Sequence, residues 1–417
     1  MSTRFRSRIK PVAEDDRQMQ IEQGREIATA VPGKTRKAVA VLAAALLAAM
    51  LALFLSGCSG SSETDFHNAD LGNGWEPTDS MELEYAQNFT VDYFEGGYKL
   101  FCLSDGSRFL TIPEGAEVPD GLADDIVTLQ QPLENIYLCA SDSMCLFDAL
   151  DSVDAVTVLG TKAEDVHVDS FSQALEDGSI VYGGKYNEPD YELILSKGCP
   201  LAIESRMITH SPDVKEKLEE TGLAVITEQS SGETNPLGRT EWVKFYGALL
   251  DKEELAEKAF EEQVELVDKV SSEKETGKTV AFFYINSNGQ AVVRKPGDYV
   301  TKMIDMAGGE YVFNDLDASE TGMSTVKMEM ETFYSTAKDA DIIIYNSTIA
   351  GGVNSIDELV EKNELLAKCK AVQNGDVWCT DQDMYQEMMS TGEIVSEMHE
   401  IFTGSDGSGL DYFYKLE

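Results

Sequence analysis

Positive charge is scarce in this sequence of 417 residues, which holds 33 Lys and Arg against 75 Asp and Glu and carries a formal net charge of -42. A protein that binds DNA or RNA needs a basic face to contact the phosphates. The composition therefore excludes a nucleic-acid partner and favours solubility. The apolar content of 42% suffices for ordinary hydrophobic cores, and the length suits two domains.

Histidine and the usual motifs of catalysis are scarce as well. The chain has only 4 histidines, which are far apart in sequence and leave little material for a histidine-rich metal cage. No G-x-S-x-G, H-E-x-x-H or G-x-G-x-x-G motif is present. The stretch "GSIVYGGK" is close to a phosphate-binding loop, but its Lys185 is one position late and Tyr186 replaces the hydroxyl residue that binds magnesium. We expect no enzyme and no cofactor, and an exported hydrolase or chelate reductase is the weaker alternative.

Cysteine pairs at zinc-binding spacing are also missing. Without a C-x-x-C motif, a tetrathiolate zinc site is not expected, and the sequence identifies no other metal site. Six cysteines besides Cys58 could form disulfides in an exported protein or lie buried as thiols, and the sequence does not choose between these states. They are Cys102, Cys139, Cys145, Cys199, Cys369 and Cys379.

The N-terminus has the pattern of an export signal. A basic region is followed by 18 uncharged residues, Ala38 to Leu55, and by the small residues around "LSGC". That motif resembles the lipobox of bacterial lipoproteins, which implies a signal peptide over residues 1–57 and a lipid on Cys58. We expect a protein anchored on the extracytoplasmic face of the cell membrane. An uncleaved helix is the alternative, because 18 apolar residues just reach the length that spans a bilayer.

Composition and periodicity divide the rest of the chain. Residues 58–84 are rich in Ser, Gly and Asp and predict a flexible tether. Alternating runs and glycine turns over 85–131 predict a small antiparallel β extension. Short apolar strands alternate with helices over 132–250 and again over 276–417, which predicts an α/β fold with two Rossmann-like lobes and mostly parallel sheets. Between them, one apolar helical face over 251–275 predicts a long connecting helix.

Polar residues follow many of the predicted strands, where open α/β sheets bind ligands. We expect "YGGKY" and "ESRM" to be neighbouring loops that face one ligand. The candidate contacts are Ser141, Asp142, Tyr182, Lys185, Tyr186, Glu204, Ser205, Arg206, Met207, Ser287, Asn288, Arg294, Lys295, Asp381 and Met384. Asp383 is a further candidate in the same loop as Asp381 and Met384.

The ligand is expected to be an anion. Cations are rare in this chain, yet Lys185, Arg206, Arg294 and Lys295 all follow predicted strands. Arginine offers a planar fork to carboxylate or catecholate oxygens. The alternative is that each of these cations pairs with one of the abundant carboxylates.

The order of these segments resembles the substrate-binding lipoproteins of ABC importers that handle iron chelates, haem and cobalamin. The resemblance runs from Glu134 to the C-terminus and rests on "YGGKYNEPDYELILSKGCPLAIESRMITHSPDVKEKLEETGLAVI", "NPLGRTEWVKFYGALL" and "KPGDYVTKMIDMAGGEYVF". It implies a monomeric receptor that captures an iron(III) chelate, similar to a siderophore, and delivers it to a permease driven by an ATPase. A receptor for haem, cobalamin or a free metal ion, and an adhesion or scaffolding lipoprotein, are the alternatives.

The resemblance also implies one acidic residue on each lobe that docks with the permease. A helix-strand unit recurs in "EPDYELILSKGCPLAIES" and "MEMETFYSTAKDADIIIYNST", and it aligns Glu192 with Glu331. Glu329 is the close competitor of Glu331. The extension over 85–131 is additional to the better-known members, and it could add walls to the cleft or bind another protein.

Overall fold

The computed structural model describes residues 66–273, 275–317, 324–382 and 384–417. The chain divides into two units, Met1–Glu63 and Thr64–Glu417, and every described residue belongs to the second. The predicted signal peptide, the lipidation of Cys58 and the contact from Asp383 lie outside the described residues. Within those residues, no helix has both the length and the apolar composition needed to cross a membrane.

The N-terminal extension is a five-stranded sheet with the strand order β1-β2-β3-β4-β5. Pairing is antiparallel from β1 to β4, as predicted, but β5 joins β4 in parallel. The prediction missed this pairing because the loop 113–125 returns the chain along the sheet before β5 begins. The strands are β1 (Asp79–Ser80), β2 (Phe89–Tyr93), β3 (Lys99–Leu103), β4 (Arg108–Ile112) and β5 (Ile126–Gln130).

The predicted flexible tether is packed against this sheet from residue 66 onward, so the prediction is wrong for 66–84. Leu71 is fully buried in a cluster with Phe94 and Leu100. His67 Nε2 lies 2.8 Å from Asp92 Oδ2. The polar composition concealed a few apolar side chains, such as Leu71, that close the outer face of the sheet.

The first lobe is built on a five-stranded parallel sheet with the order β10-β9-β6-β7-β8. The carboxyl ends of all its strands therefore lie at one edge. The strands are β6 (Ile136–Leu138), β7 (Val156–Leu159), β8 (Val181–Tyr182), β9 (Leu201–Glu204) and β10 (Ala224–Thr227). The helices are α1 (Met144–Ala149), α2 (Asp169–Asp177), α3 (Tyr191–Ser196), α4 (Pro212–Glu220), α5 (Pro236–Thr240) and α6 (Trp242–Leu249).

A long helix, α7 (Glu253–Ser271), leads from the first lobe to the second and lies inside the predicted range. Its 19 residues correspond to about 28 Å of helix. Ala256, Phe260, Val267 and Val270 are buried on one face, as the apolar periodicity predicts.

The second lobe has a seven-stranded sheet with the order β14-β12-β11-β15-β16-β17, and β13 pairs with β11. It is mixed rather than mostly parallel, because a tight turn over 286–290 folds β12 back against β11 and β17 also runs antiparallel. The strands are β11 (Lys278–Ile285), β12 (Ala291–Arg294), β13 (Gly309–Tyr311), β14 (Thr325–Met328), β15 (Ile342–Tyr345), β16 (Val377–Thr380) and β17 (Phe413–Lys415). The helices are α8 (Tyr299–Met306), α9 (Met330–Ala337), α10 (Ser347–Ala350), α11 (Ile356–Lys362), α12 (Lys370–Asn374) and α13 (Thr391–Thr403).

One hydrophobic core runs from the inner face of the extension through both lobes. At the extension, the ring of Phe89 lies 4.8 Å from Trp242 and 5.4 Å from Phe245, centroid to centroid, with both partners on α6. Edge-to-face aromatic pairs at such distances are favourable beyond the area they bury. The extension is therefore an integral part of the first lobe.

Candidate functional site

A cavity of about 460 Å³ opens between the two lobes. Its walls on the first lobe are Arg206 after β9, the loop 231–234 after β10, and Arg239 on α5. The second lobe contributes the loop 294–298 after β12 and Tyr299 at the start of α8, together with Ser324. The volume is in the range of small-molecule sites, roughly 300–1,000 Å³.

The lining of this cavity is rich in cations. Arg206, Arg239, Arg294 and Lys295 face it together with the acidic residues Glu233 and Asp298. The whole chain has the opposite balance, with 75 acidic and 33 basic residues. This local excess of positive charge makes the cavity suited to an anion.

Arg239 joins the two lobes through an aromatic contact. Its guanidinium carbon lies 4.1 Å from the ring centroid of Tyr299 on the other lobe, and the residue is only 8% exposed. A desolvated cation over a tyrosine face is stabilised by the ring quadrupole. Arg239 Nη2 also lies 3.8 Å from Asp142 Oδ2, which holds the guanidinium from behind.

Arg294 approaches the same ring from the second lobe. Its guanidinium carbon is 5.4 Å from the Tyr299 centroid, and its Nη1 is 3.8 Å from Asp298 Oδ1. Asp298 also caps α8 by accepting the backbone N–H of Val300 at 3.1 Å. Burial raises the pKa of Asp298, and Arg294 opposes that shift. The local sequence explains the turn, since Gly297 adopts a positive φ of 78° directly before the cap.

Two acids lie close to Arg239, the buried Glu228 and the partly exposed Asp142. Glu228 follows β10 and is fully buried, and its Oε1 accepts the backbone N–H of Ser230 at 2.7 Å. Burial raises the pKa of Glu228, and the nearby Asp142 raises it further. Burial also raises the pKa of Asp142, whereas Arg239 opposes it.

Three of the predicted contacts come together in this cavity: Arg206, Arg294 and Lys295. Arg206 is exposed, and within the described part of the chain its guanidinium forms no ion pair. Asp142 belongs to the same neighbourhood through its contact with Arg239. Arg206 comes from the first lobe and Arg294 and Lys295 from the second, whereas Lys185, the fourth predicted cation, lies outside this lining.

The loop after β8 is not part of the cavity. Strands β6 and β7 lie between β8 and β9, so "YGGKY" and "ESRM" are not neighbouring loops as predicted. Lys185 is exposed, Tyr182 is 38% exposed, and Tyr186 packs on a cluster at the outer face of the sheet. Strand order, which the local pattern does not encode, is the reason for this error.

Ser287 and Asn288 are also outside the cavity lining. They lie in the exposed turn of the β11–β12 hairpin, whereas Arg294 and Lys295 lie at the other end of β12. Both pairs were predicted to follow strands and to face one ligand. The antiparallel course of β12 separates them by the length of the strand.

Glu204, Ser205 and Met207 have other roles in the structure than lining this cavity. Glu204 is fully buried, and neither of its carboxyl oxygens has a hydrogen-bond partner among the described residues. Burial raises the pKa of Glu204 to about 7, and the adjacent thiol of Cys139 opposes the shift. Ser205 caps the turn Arg206–His210 by accepting the Met207 N–H at 3.4 Å, and Met207 is 47% exposed.

The remaining predicted contacts divide between the cleft and the surface. Ser141 begins the turn Ser141–Ser143, which contacts the segment 384–386 of the other lobe. Met384 lines a recess of about 20 Å³ beside Arg239 and Tyr299, enough for roughly one water molecule. Asp381 is exposed after β16.

Sequence reasoning missed Arg239, Tyr299 and Glu233. None of them directly follows a strand, since Arg239 and Tyr299 are helical and Glu233 lies in the loop after β10. A usable signal was present in "NPLGR" and "GDY", where Asn235 and Asp298 are helix caps. Helix N-termini at the strand edge would have led to both helices.

The predicted docking acids are both exposed. Glu192 lies in the first turn of α3, and Glu331 lies in the first turn of α9. Glu329 accepts a hydrogen bond from Gln290 Nε2 at 2.8 Å. Glu329 and Glu331 are both exposed. Docking itself stays a prediction.

The cysteines of the described region are unpaired. Cys102, Cys139, Cys145, Cys199, Cys369 and Cys379 are all buried thiols. Of the two states that the sequence left open, the structure has the thiols.

Comparison with known proteins places this fold in a family. Residues 141–384 match the family described as periplasmic binding protein. An uncharacterized lipoprotein of Methanocaldococcus jannaschii is 26% identical over 387 residues, which covers 86% of this chain and 91% of the relative. A second lipoprotein of that organism is 25% identical over 355 residues and covers 80% and 87%.

Solved structures share the fold at low sequence identity. The petrobactin-binding protein YclQ of Bacillus subtilis superposes with a TM-score of 0.54 at 15% identity, covering 78% of this chain and 100% of that one. The periplasmic heme binding protein HutB of Vibrio cholerae gives a TM-score of 0.53 at 17% identity and covers 65% and 98%.

Proposed function

Since the chain belongs to the periplasmic binding protein family, we propose that it is the lipid-anchored receptor of an ABC importer and that it captures an anionic iron(III) chelate. The observation that carries this proposal is the cavity between the lobes with its four cations, Arg206, Arg239, Arg294 and Lys295. Ferric chelates built from carboxylate or catecholate groups present negative oxygens on their surface. Guanidinium groups bind such oxygens through charge-assisted hydrogen bonds.

The relatives support the same class of ligand and the same location. Proteins that share the fold carry names that refer to petrobactin and heme. The archaeal relatives are named lipoproteins, which agrees with the lipobox at Cys58. A bound chelate would be gripped and released without a reaction, and a single copy of the chain would suffice for this task.

The cavity favours a chelate over the alternative ligands. A free metal ion would meet repulsion from the four cations. No group of three or more His, Cys, Asp or Glu side chains suited to a metal occurs among the described residues. Haem would need a largely apolar slot, whereas most of the cavity lining is polar or charged.

Delivery to a permease is part of the proposal. Glu192 and Glu331 present exposed carboxylates on corresponding helices of the two lobes. We assign them as the contacts to basic pockets on the permease.

The proposal is tested by titrating the purified chain from residue 59 with a panel of probes. The panel consists of a ferric tris-catecholate, ferric citrate, a ferric hydroxamate, haem, cobalamin and ferric chloride. We expect fluorescence quenching and a thermal shift with the anionic ferric chelates. The absence of binding for every member of the panel would contradict the proposal, and binding of ferric chloride alone would favour a metal receptor.

A charge substitution in the cavity sharpens this test. Arg206→Gln should weaken binding of the ferric chelate about tenfold or more, because it removes a charge-assisted hydrogen bond. Lys197→Gln is the matched control, since Lys197 is an exposed cation at the end of α3, away from the cavity. Equal affinities of the two variants for the chelate would show that the chelate does not bind in the cationic cavity.

A further inference from the structure

The N-terminal extension is attached to the first lobe, next to the cavity, through the segment 84–88, which we call the strap. Its five consecutive backbone N–H groups are bound by two carboxylates of the first lobe. Glu241 accepts the N–H groups of residues 84, 85 and 86 at 2.9, 2.8 and 2.8 Å. Glu233 accepts those of Gln87 and Asn88 at 2.9 and 2.8 Å. Successive backbone donors on buried carboxylates make a specific attachment.

Glu233 belongs to the strap contact and to the cavity at the same time. It is 5% exposed and lines the cavity beside Arg206 and Arg239. Its Oε1 accepts both strap N–H groups and also Trp242 Nε1 at 3.2 Å. The strap therefore attaches directly to a wall of the cavity.

Arg206 and the strap side chain Asn88 meet at Gly232. A Cβ atom placed on Gly232 would lie 2.8 Å from Arg206 Nη1 and 3.4 Å from Asn88 Nδ2. Both side-chain ends therefore pack against the loop 231–234 at this glycine. The position of Arg206 in the cavity thus depends on the same loop that Glu233 ties to the strap.

We propose that the strap supports one wall of the ligand cavity, the loop 231–234, and that Glu233 is the positioning residue through which it acts. By accepting the N–H groups of Gln87 and Asn88, Glu233 holds the loop 231–234 in the place that directs Arg206 towards the anion. The extension then contributes to affinity although the family match begins only at residue 141. The statement on affinity rests on the proposed function, whereas the coupling between strap and loop does not.

If Glu233 positions the loop, its removal should weaken anion binding, although it is itself a negatively charged residue of the cavity. If Glu233 acted only through its charge, any neutral replacement would tighten anion binding. If it anchors the strap, Glu233→Ala should weaken binding, because the N–H groups of the strap lose their acceptor. Glu233→Gln should keep affinity at the wild-type level or above, since an amide oxygen at the position of Oε1 can accept the same bonds.

The experiment combines hydrogen exchange with binding on the mature chain. In the protein without ligand, Glu233→Ala should speed amide exchange in both the strap and the loop 231–234, and Glu233→Gln should leave exchange unchanged. With ferric citrate and a ferric tris-catecholate as probes, Glu233→Ala should lose roughly tenfold in affinity, the change expected for one buried hydrogen-bonding group. Glu216→Ala, an exposed acid on α4, controls for the change in net charge.

Each outcome decides the inference. Tighter anion binding in both Glu233 variants would show that Glu233 affects binding only through its charge. Unchanged amide exchange in Glu233→Ala would show that Glu233 does not anchor the strap. If the wild type binds neither probe, the proposed ligand class fails, and the exchange data alone decide the coupling. If Glu233→Ala does not fold, Asn88→Pro removes one donor from the strap side, with Asn88→Ala as the control that keeps the N–H, and the same two readouts apply.

Discussion

The carboxyl group of Glu204 is buried without a hydrogen-bond partner among the described residues. It ends β9 on the outer face of the sheet, is fully buried, and has no hydrogen bond to either oxygen within the described chain. Burial disfavours the charged form and raises the pKa to about 7 from an ordinary value of 4.5. Glu204 was predicted to contact the ligand, but it does not line the cavity, and its burial predicts an effect on stability instead.

Glu204→Gln should change the pH dependence of unfolding. Above pH 4.5 the unfolded carboxyl loses its proton while the folded one keeps it to about pH 7, so stability falls over this interval and then levels off. The shift in pKa corresponds to about 3 kcal/mol of the free energy of unfolding. The wild type should lose most of this free energy between pH 5 and 8, whereas the Gln variant should not. Urea denaturation at several pH values measures this. Glu216→Gln is the exposed control, and parallel curves for wild type and Glu204→Gln would contradict the assignment.

The helices α7 and α13 cross at close range where Gly392 lies. The Gly392 N–H donates to Gln263 Oε1 at 2.8 Å. A Cβ atom at this position would lie 2.6 Å from Leu266 Cβ and 2.9 Å from the backbone oxygen of Gln263. The glycine therefore sets the distance between the connecting helix and the second lobe.

Gly392→Ala should destabilise the protein even though alanine is the better helix former. The added methyl group meets backbone and a Cβ atom, which cannot move away as a flexible side chain can. Overpacking of this kind costs about 1–3 kcal/mol, against a gain in helix propensity of about 1 kcal/mol. Chemical denaturation gives the difference, with Glu400→Ala on an exposed face of α13 as control. A more stable Gly392→Ala variant would show that the helices can separate freely.

Direct contacts hold the two lobes together around the cavity. Gln386 is fully buried and bonds to two backbone groups of the first lobe, accepting the His167 N–H at 2.9 Å and donating to the Asp165 oxygen at 2.8 Å. Thr240 donates to the backbone oxygen of Met388 at 2.9 Å. The segment 384–391 of the second lobe therefore contacts the first lobe directly.

Gln386→Ala should weaken this contact between the lobes without changing the residues that line the cavity. The loss of both bonds leaves two backbone groups without partners, so we expect faster amide exchange at His167 and faster dissociation of a bound ferric chelate, roughly tenfold for one buried hydrogen-bonding group. Hydrogen exchange and stopped-flow fluorescence measure the two effects. Gln382→Ala, an exposed glutamine just before this segment, is the control. An unchanged dissociation rate of the chelate would mean that its retention does not depend on this contact.

Much of the architecture followed from local patterns. The alternation of apolar runs and helix periodicity predicted the two α/β lobes, and the apolar face of α7 predicted the connecting helix. The packed segment 66–84 escaped prediction, because single apolar residues such as Leu71 in a polar stretch leave no periodic signal.

The sequence by itself determined that cations are rare and that Arg206, Arg294 and Lys295 come after strands, since both facts are properties of the linear order. Only the tertiary structure decided which of these loops meet. Strand order separates Lys185 from Arg206, and the stack of Arg239 on Tyr299 joins helices that are far apart in the chain. The physical reason is that local propensity shapes each element, whereas side chains converge only where buried surfaces fix how the elements pack.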